Sequence, residues 1–212
     1  MDHNETMSRF HDLVDKFGAL PIPLERARTG GRRSAVLMAL TDEDDTRIVL
    51  TRRALTMRFH PGQVSFPGGS LEEGETPVDA ALREAHEEVG LEPTRVSVLG
   101  ELPGLSLAAS SNAVTPIIGV IGPGERPDVV DEAEVDSVHL PTLDYLADPD
   151  IRMTALIPGR PYRGPAFQLG DIFIWGFTAH LLDGLLEVGG WEKEWDHDRT
   201  IIVPEEYRRE RG

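Results

Sequence analysis

The sequence predicts an α/β fold, one domain with a mixed β-sheet packed between helices. Two observations lead there. Apolar runs rich in Val, Ile and Leu recur at 34–40, 47–53, 95–100, 114–121, 134–140 and 171–175. Runs of that length bounded by Gly, Pro and Asp clusters read as strands. Two other segments, 76–89 and 176–186, carry helix-like apolar character and interrupt the strands. The 212 residues, 40% apolar and 27% charged, are ordinary for one globular domain with a core of its own.

In chain order, residues 4–20 place Phe10, Leu13, Val14 and Phe17 at helical spacing. This predicts a short amphipathic helix that packs on the domain or on a partner, ended by Pro21 and Pro23. Residues 24–33 form a basic connector with Arg26, Arg28, Arg32 and Arg33, read as a solvated loop or as a contact for substrate phosphate. A buried strand (34–40), an acidic turn (41–45) and a returning strand (47–53) follow.

The segment 69–91, GSLEEGETPVDAALREAHEEVGL, organises the rest. Thr76 is a candidate N-cap, Pro77 the first helical residue and Asp79 the partner of a capping box. Gly90 can take the left-handed conformation that ends a helix. At about 100° per residue, Val78, Ala81, Leu82, Ala85 and Val89 share one side. Glu84, Glu87 and Glu88 share another, away from that stripe. Three carboxylates in the last turns repel one another and oppose the helix dipole. Arg83, four residues before Glu87, offsets only part of this. A sequence that breaks local rules in this way usually serves a site.

The full spacing is Gly69, five residues, Glu75, seven residues, Arg83-Glu84-Ala85, one residue, Glu87-Glu88, one residue, Gly90-Leu91. It resembles the Nudix box at every fixed position. The resemblance implies an α/β/α sandwich and a metal-dependent hydrolase of nucleoside diphosphates linked to another group. It implies Glu84, Glu87 and Glu88 as ligands to Mg²⁺ or Mn²⁺, with Glu87 and Glu88 also among the catalytic carboxylates. The chemistry agrees, since hard divalent cations take carboxylate oxygens. A cation so held can neutralise a pyrophosphate and lower the pKa of an attacking water. Glu75 and Arg83 read as supports between loop and helix.

The preceding stretch, LTRRALTMRFHPGQVSFPGG at 50–69, is similar to the signature of the coenzyme A pyrophosphatase branch, with Val49 where that signature begins with Leu. Arg53 and Arg58 are candidate phosphate binders, because a guanidinium matches phosphate oxygens two at a time. Gly68 and Gly69 let the backbone approach a ligand or turn sharply into the box. His60 reads as a hydrogen-bonded loop residue, with a general base as the alternative that the resemblance does not need.

Beyond the box come a strand at 95–100, a loop at 102–111, a strand at 114–121 and an exposed loop at 122–133. Many enzymes of this family use an acidic residue of a late loop as metal ligand or base. Glu134 is the first candidate and Glu132 the second. A short helix at 141–147 precedes a hairpin or long loop at 152–168. Trp175 and Phe177 read as core at an element junction, with stacking on an adenine as the alternative. The polar tail with Trp191 and Trp195 reads as a flap or a dimer contact.

The expected organisation is a helix and connector at 1–33, a hydrolase domain at 34–186 and a tail at 187–212. The expected reaction is hydrolysis of coenzyme A or acyl-coenzyme A to 3′,5′-ADP and (acyl-)4′-phosphopantetheine. ADP-ribose or a nucleotide sugar is the alternative substrate, and a non-catalytic ligand-binding module the other class of reading. The chain has no Cys, which excludes disulfides, thiolate metal sites and cysteine nucleophiles. A net charge of -16 argues against a long nucleic-acid footprint. Polar residues after Met1 give no secretory signal, and no apolar run reaches the ~20 residues of a membrane span. The expectation is therefore a cytoplasmic protein without nucleic-acid or membrane partners. The N-terminal helix and the tail are the candidate contacts of a homodimer.

Overall fold

Two strands set the frame, β2 (Arg33–Thr41) and β8 (Ala113–Ile121), which run parallel and pair from Arg33 with Ala113 to Thr41 with Ile121. The computed structural model describes residues 10, 12–20, 25, 26, 32–106 and 113–208. A parallel pair of this kind is covered on both faces, so its strands read as continuous apolar runs. The two-residue strand period sorts them. Ala35, Leu37 and Ala39 pack with Ala81, Ala85 and Val89 of α2 (Pro77–Val89). Met38 and Leu40 pack with Leu181, Leu182, Leu185 and Leu186 of α4 (Gly176–Gly189). The result is the expected α/β/α sandwich with a mixed sheet.

Around this pair, β5 (Gly68–Ser70) runs antiparallel to β2, and β6 (Val96–Glu101) and β7 (Leu105–Ser106) run antiparallel to β8. Beyond β7 lies β1 (Glu25–Arg26), so part of the expected connector is a strand. Arg33 already belongs to β2, and Arg28 lies outside the described residues. Pro116, in the middle of β8, is tolerated for a local reason. Its carbonyl accepts from the Leu102 N–H at 2.9 Å. Its missing donor faces that same side, in the gap between β6 and β7 where no strand needs it.

The chain after β2 departs from a simple hairpin. It bridges back only through Leu40 and Ile48, then leaves as β3 (Leu50–Arg53). The other end of that edge is taken by β5, from Ser34 to Val36. β3 pairs instead with β4 (Val64–Ser65) and β9 (Val135–His139), with a bulge between Arg52 and Arg53. The short helix α3 (Leu143–Leu146) follows, capped by Thr142.

The C-terminal third forms a further sheet in the order β12 (Ile172–Ile174), β11 (Arg163–Leu169), β10 (Arg152–Leu156), β13 (Thr200–Ile202). The 152–168 segment is thus a hairpin. The tail supplies β13 and α5 (Glu205–Arg208), and its tryptophans pack on the chain itself. The Trp191 ring stacks 6.5 Å from Phe10, near α1 (Leu13–Ala19), where Phe17 lies against Gly184 of α4. Trp195 lies over Arg152, 4.6 Å from the guanidinium carbon, with Phe167 at 5.1 Å.

Arg152 is 1% exposed and pairs with Asp183 on α4. Burial disfavours its charge, and Asp183 offsets part of that effect. Removing one partner of a buried pair strands the other. Asp183→Ala is expected to lower unfolding stability by about 2 kcal/mol in denaturant titration, less than a fully buried pair because Asp183 is partly exposed. Among the described residues no helix is long and apolar enough to cross a membrane.

Candidate active site

The site is built where β5 meets the C-terminal half of α2. Thr76 caps the helix as its spacing predicts: its hydroxyl accepts from the Asp79 N–H at 3.2 Å, and Asp79 accepts in return from the Thr76 N–H at 3.4 Å. Gly90 ends it with φ of 71°. Arg83 then ties helix to loop. It donates to both Glu75 oxygens at 2.9 and 3.1 Å and to the Ser70 carbonyl at 3.0 Å. The same side chain reaches Glu84 at 3.1 Å and Glu87 at 3.0 Å.

The three helix carboxylates are not alike. Glu87 is 55% exposed, whereas Glu88 is 3% exposed. The acid face is therefore not wholly separate from the apolar one. A helix turn puts residue 88 beside residue 85, and β5 closes over it. Glu88 accepts from the Gly68 N–H at 3.0 Å. Glu84 lies under Gly69, where a Cβ would come within 2.3 Å of its carboxylate oxygen. Gly69 is thus needed for the close approach of strand to helix, and Gly68, whose Cβ would meet the Ala35 carbonyl oxygen at 2.3 Å, for the approach of β5 to β2.

Burial pushes the Glu88 carboxyl up to about 8. The Gly68 N–H and the Arg53 charge oppose that shift, and Glu84 and Glu134 add to it. Glu84 is raised by burial as well, against Arg83, with Glu87 and Glu134 contributing repulsion. Glu134 therefore reaches the cluster from the far loop. That loop is fixed by hydrogen bonds from the Val130 and Asp131 N–H groups to the Glu88 carbonyl, and from the Ala54 N–H to the Glu134 carbonyl at 2.8 Å. Nothing places Glu132 in the cluster.

Of the two candidate phosphate binders, the fold brings only Arg53 to the acids. Its charge acts on Glu88, and its Nε, though buried, makes no hydrogen bond to the protein. Arg58 lies out on the 54–60 loop over the Phe59 ring, 5.2 Å from the centroid, in an exposed neighbourhood. His60 sits in the same loop with φ of 53°. Phe177 packs against the main core, and Trp175 stands edge-on to Tyr162 at 5.9 Å. Gly62 and Gln63 pair with Arg53 through the backbone; Gly62 stands in the sequence only as a fixed position of the 50–69 signature, and Gln63 carries no signal of its own.

Among the described residues, no three carboxylates or imidazoles are gathered as a finished metal cage. The donor set nevertheless fits a hard divalent cation. Glu84 and Glu88 offer oxygen donors whose charged forms are disfavoured by burial and by each other, and a bound cation reverses both penalties.

Comparison with known proteins agrees with this geometry. The NUDIX domain model matches residues 31–154. An uncharacterized Nudix hydrolase NudL of Enterobacter sp. (strain 638) is 32% identical over 186 residues, covering 84% of this chain and 94% of that protein. The NudL of Cronobacter sakazakii is 33% identical over 193 residues, covering 87% and 95%. In three dimensions the chain is similar to RenU, a Nudix hydrolase from M. Smegmatis, with a TM-score of 0.54, 18% identity, and coverage of 82% and 98%. At that identity the likeness concerns the fold alone.

Proposed function

The chain belongs to the Nudix family, and from that premise we propose that it hydrolyses the pyrophosphate of coenzyme A or acyl-coenzyme A. The observation that carries this reading is Arg53, from the LTRR…FPGG signature, set against the buried Glu88 of the box. Glu84, Glu87 and Glu88 would hold Mg²⁺ or Mn²⁺. When bound, such a cation supplies charge neutralisation of the pyrophosphate and a more acidic water.

The residues then divide the remaining work. Arg53 binds and orients a phosphate, its buried Nε offering a hydrogen bond that the protein does not use. Glu134 accepts the proton of the attacking water, which forms a bond to phosphorus as the bridging P–O bond breaks. Arg83 keeps the loop and helix in register through Glu75 and Ser70. The products are 3′,5′-ADP and (acyl-)4′-phosphopantetheine.

The test is product analysis by mass after incubation with coenzyme A and Mg²⁺ or Mn²⁺. Release of those two products supports the reading. No cleavage by folded protein, with ADP-ribose or a nucleotide sugar cleaved instead, would move the substrate class and keep the site. Arg53→Ala is expected to raise KM about tenfold with a smaller change in kcat, as loss of a bidentate phosphate contact does. An unchanged KM would remove Arg53 from the substrate site.

A further inference from the structure

Arg53 does not hold its place alone. On one side the β3–β9 register shifts between Arg52 and Arg53, and a bulge of that kind re-aims the side chain it carries. Arg52 accordingly pairs with Asp171 at 3.6 Å while Arg53 acts on Glu88. On the other side Arg53 is locked to the turn after it. Its N–H donates to the Gln63 carbonyl at 2.9 Å, and its carbonyl accepts from the Gly62 N–H at 3.0 Å.

That turn rests on the far end of the chain. Gln63 Nε2 donates to the Tyr207 carbonyl at 3.1 Å. Gly62 is buried against Tyr207, whose Cε1 would lie 3.7 Å from a Cβ built there. Tyr207 is itself stacked on Phe173 of β12, with centroids 6.2 Å apart and 14° between planes. The segment leading to it is anchored by β13 alongside β10 and by the fully buried Val203, whose N–H donates to Leu156 at 3.0 Å. A continuous set of contacts thus joins residues 200–207 to the backbone of Arg53.

We propose that the C-terminal segment 200–208 is a brace for the Arg53 turn, with Gln63 and Tyr207 as positioning residues that set substrate affinity. This rests on the reading of Arg53 as a phosphate binder. The brace meets the chain at the Arg53 turn, at Phe173 and along β10. It therefore acts on binding of the anionic substrate and leaves the hydrolytic step to the box.

The experiment compares Tyr207→Ala, Gln63→Ala and Tyr207→Phe with the parent chain, alone and with Arg53→Ala, in steady-state kinetics and amide hydrogen exchange. Small misplacements of a positioning group have large effects, so Tyr207→Ala is expected to raise KM about tenfold and Gln63→Ala about threefold, with kcat within about twofold. Tyr207→Phe keeps the ring stack and the carbonyl and is expected to match the parent. In the Arg53→Ala background Tyr207→Ala adds nothing further. The Arg53 and Gly62 amides exchange faster in Tyr207→Ala while those of β2 are unchanged. Unchanged exchange at Arg53 and Gly62, or an equal KM rise in the Arg53→Ala background, overturns the brace. Absence of turnover by the parent chain overturns the hydrolase reading instead, and amide exchange still decides the brace.

Discussion

Glu88→Gln is expected to lose at least about a thousandfold in kcat and yet to yield a metal-free protein that is more stable than the parent at pH 8. The first effect follows from the several kcal/mol of charge stabilisation that a cation held there supplies, at about 1.4 kcal/mol per tenfold in rate. The second follows from burial. Glu88 titrates near 8 in the fold against its usual 4.5, with burial the main cause. Between those values the folded chain keeps a proton that the unfolded chain has released, so stability falls as pH rises from about 4.5 to 8. At about 1.4 kcal/mol per unit the loss over that interval is ~5 kcal/mol, with the opposing pull of Gly68 and Arg53 already contained in the raised value. Glutamine never ionises and can keep the bond from Gly68. Thermal unfolding in chelator at pH 5 and pH 8 reads the difference directly. The two proteins should converge at pH 5 and separate at pH 8. Mg²⁺ should then stabilise the parent at pH 8 and leave Glu88→Gln unmoved. Parallel pH profiles would mean that Glu88 is not the buried carboxylate that the fold presents.

The same residue marks how far the sequence could be read. The box spacing, the capping box and the alternating strands made α2, the central pair and the sandwich legible, because each is a local or periodic signal. That Glu88 would be buried was not. A helical wheel places it beside Glu84 and Glu87, and only the approach of β5 distinguishes the three. Likewise, Arg53 and Arg58 are equivalent in a motif of fixed spacing. The β3–β9 bulge and the fold of the 54–60 loop send one to the acids and the other out over Phe59. The tail was least legible of all. Its polar composition reads as a flap or a dimer contact, but a parallel strand beside β10 and a ring stack on Phe173 are long-range pairings with no local signature. Non-local contacts decide these features, and they are also the ones that position the site.

Two neighbouring glycines separate what the cradle needs for folding from what it needs for chemistry. Gly68→Ala is expected to destabilise the protein by about 3 kcal/mol or more, since overpacking against backbone has no cheap relief. A Cβ there meets the Ala35 carbonyl oxygen at 2.3 Å and the Val36 Cα at 2.6 Å, and the φ of 153° is one that side-chain-bearing residues rarely adopt. Neither neighbour can move without breaking the β2–β5 pairing. For Gly69→Ala the three nearest atoms to the new Cβ all belong to the Glu84 carboxylate, at 2.3 to 2.7 Å. A carboxylate is the mobile end of its side chain, so the fold survives and the donor is displaced. Gly69→Ala should therefore unfold within a few degrees of the parent yet lose about a hundredfold in turnover, as a ligand shifted by about 1 Å does. Added Mg²⁺ should restore part of that loss, because the displaced carboxylate weakens the cation's hold without removing it. Denaturant midpoints and Mg²⁺ titrations of activity on both variants decide the matter. Equal destabilisation by the two substitutions, or full activity in Gly69→Ala, would show that Glu84 does not need the position that β5 gives it.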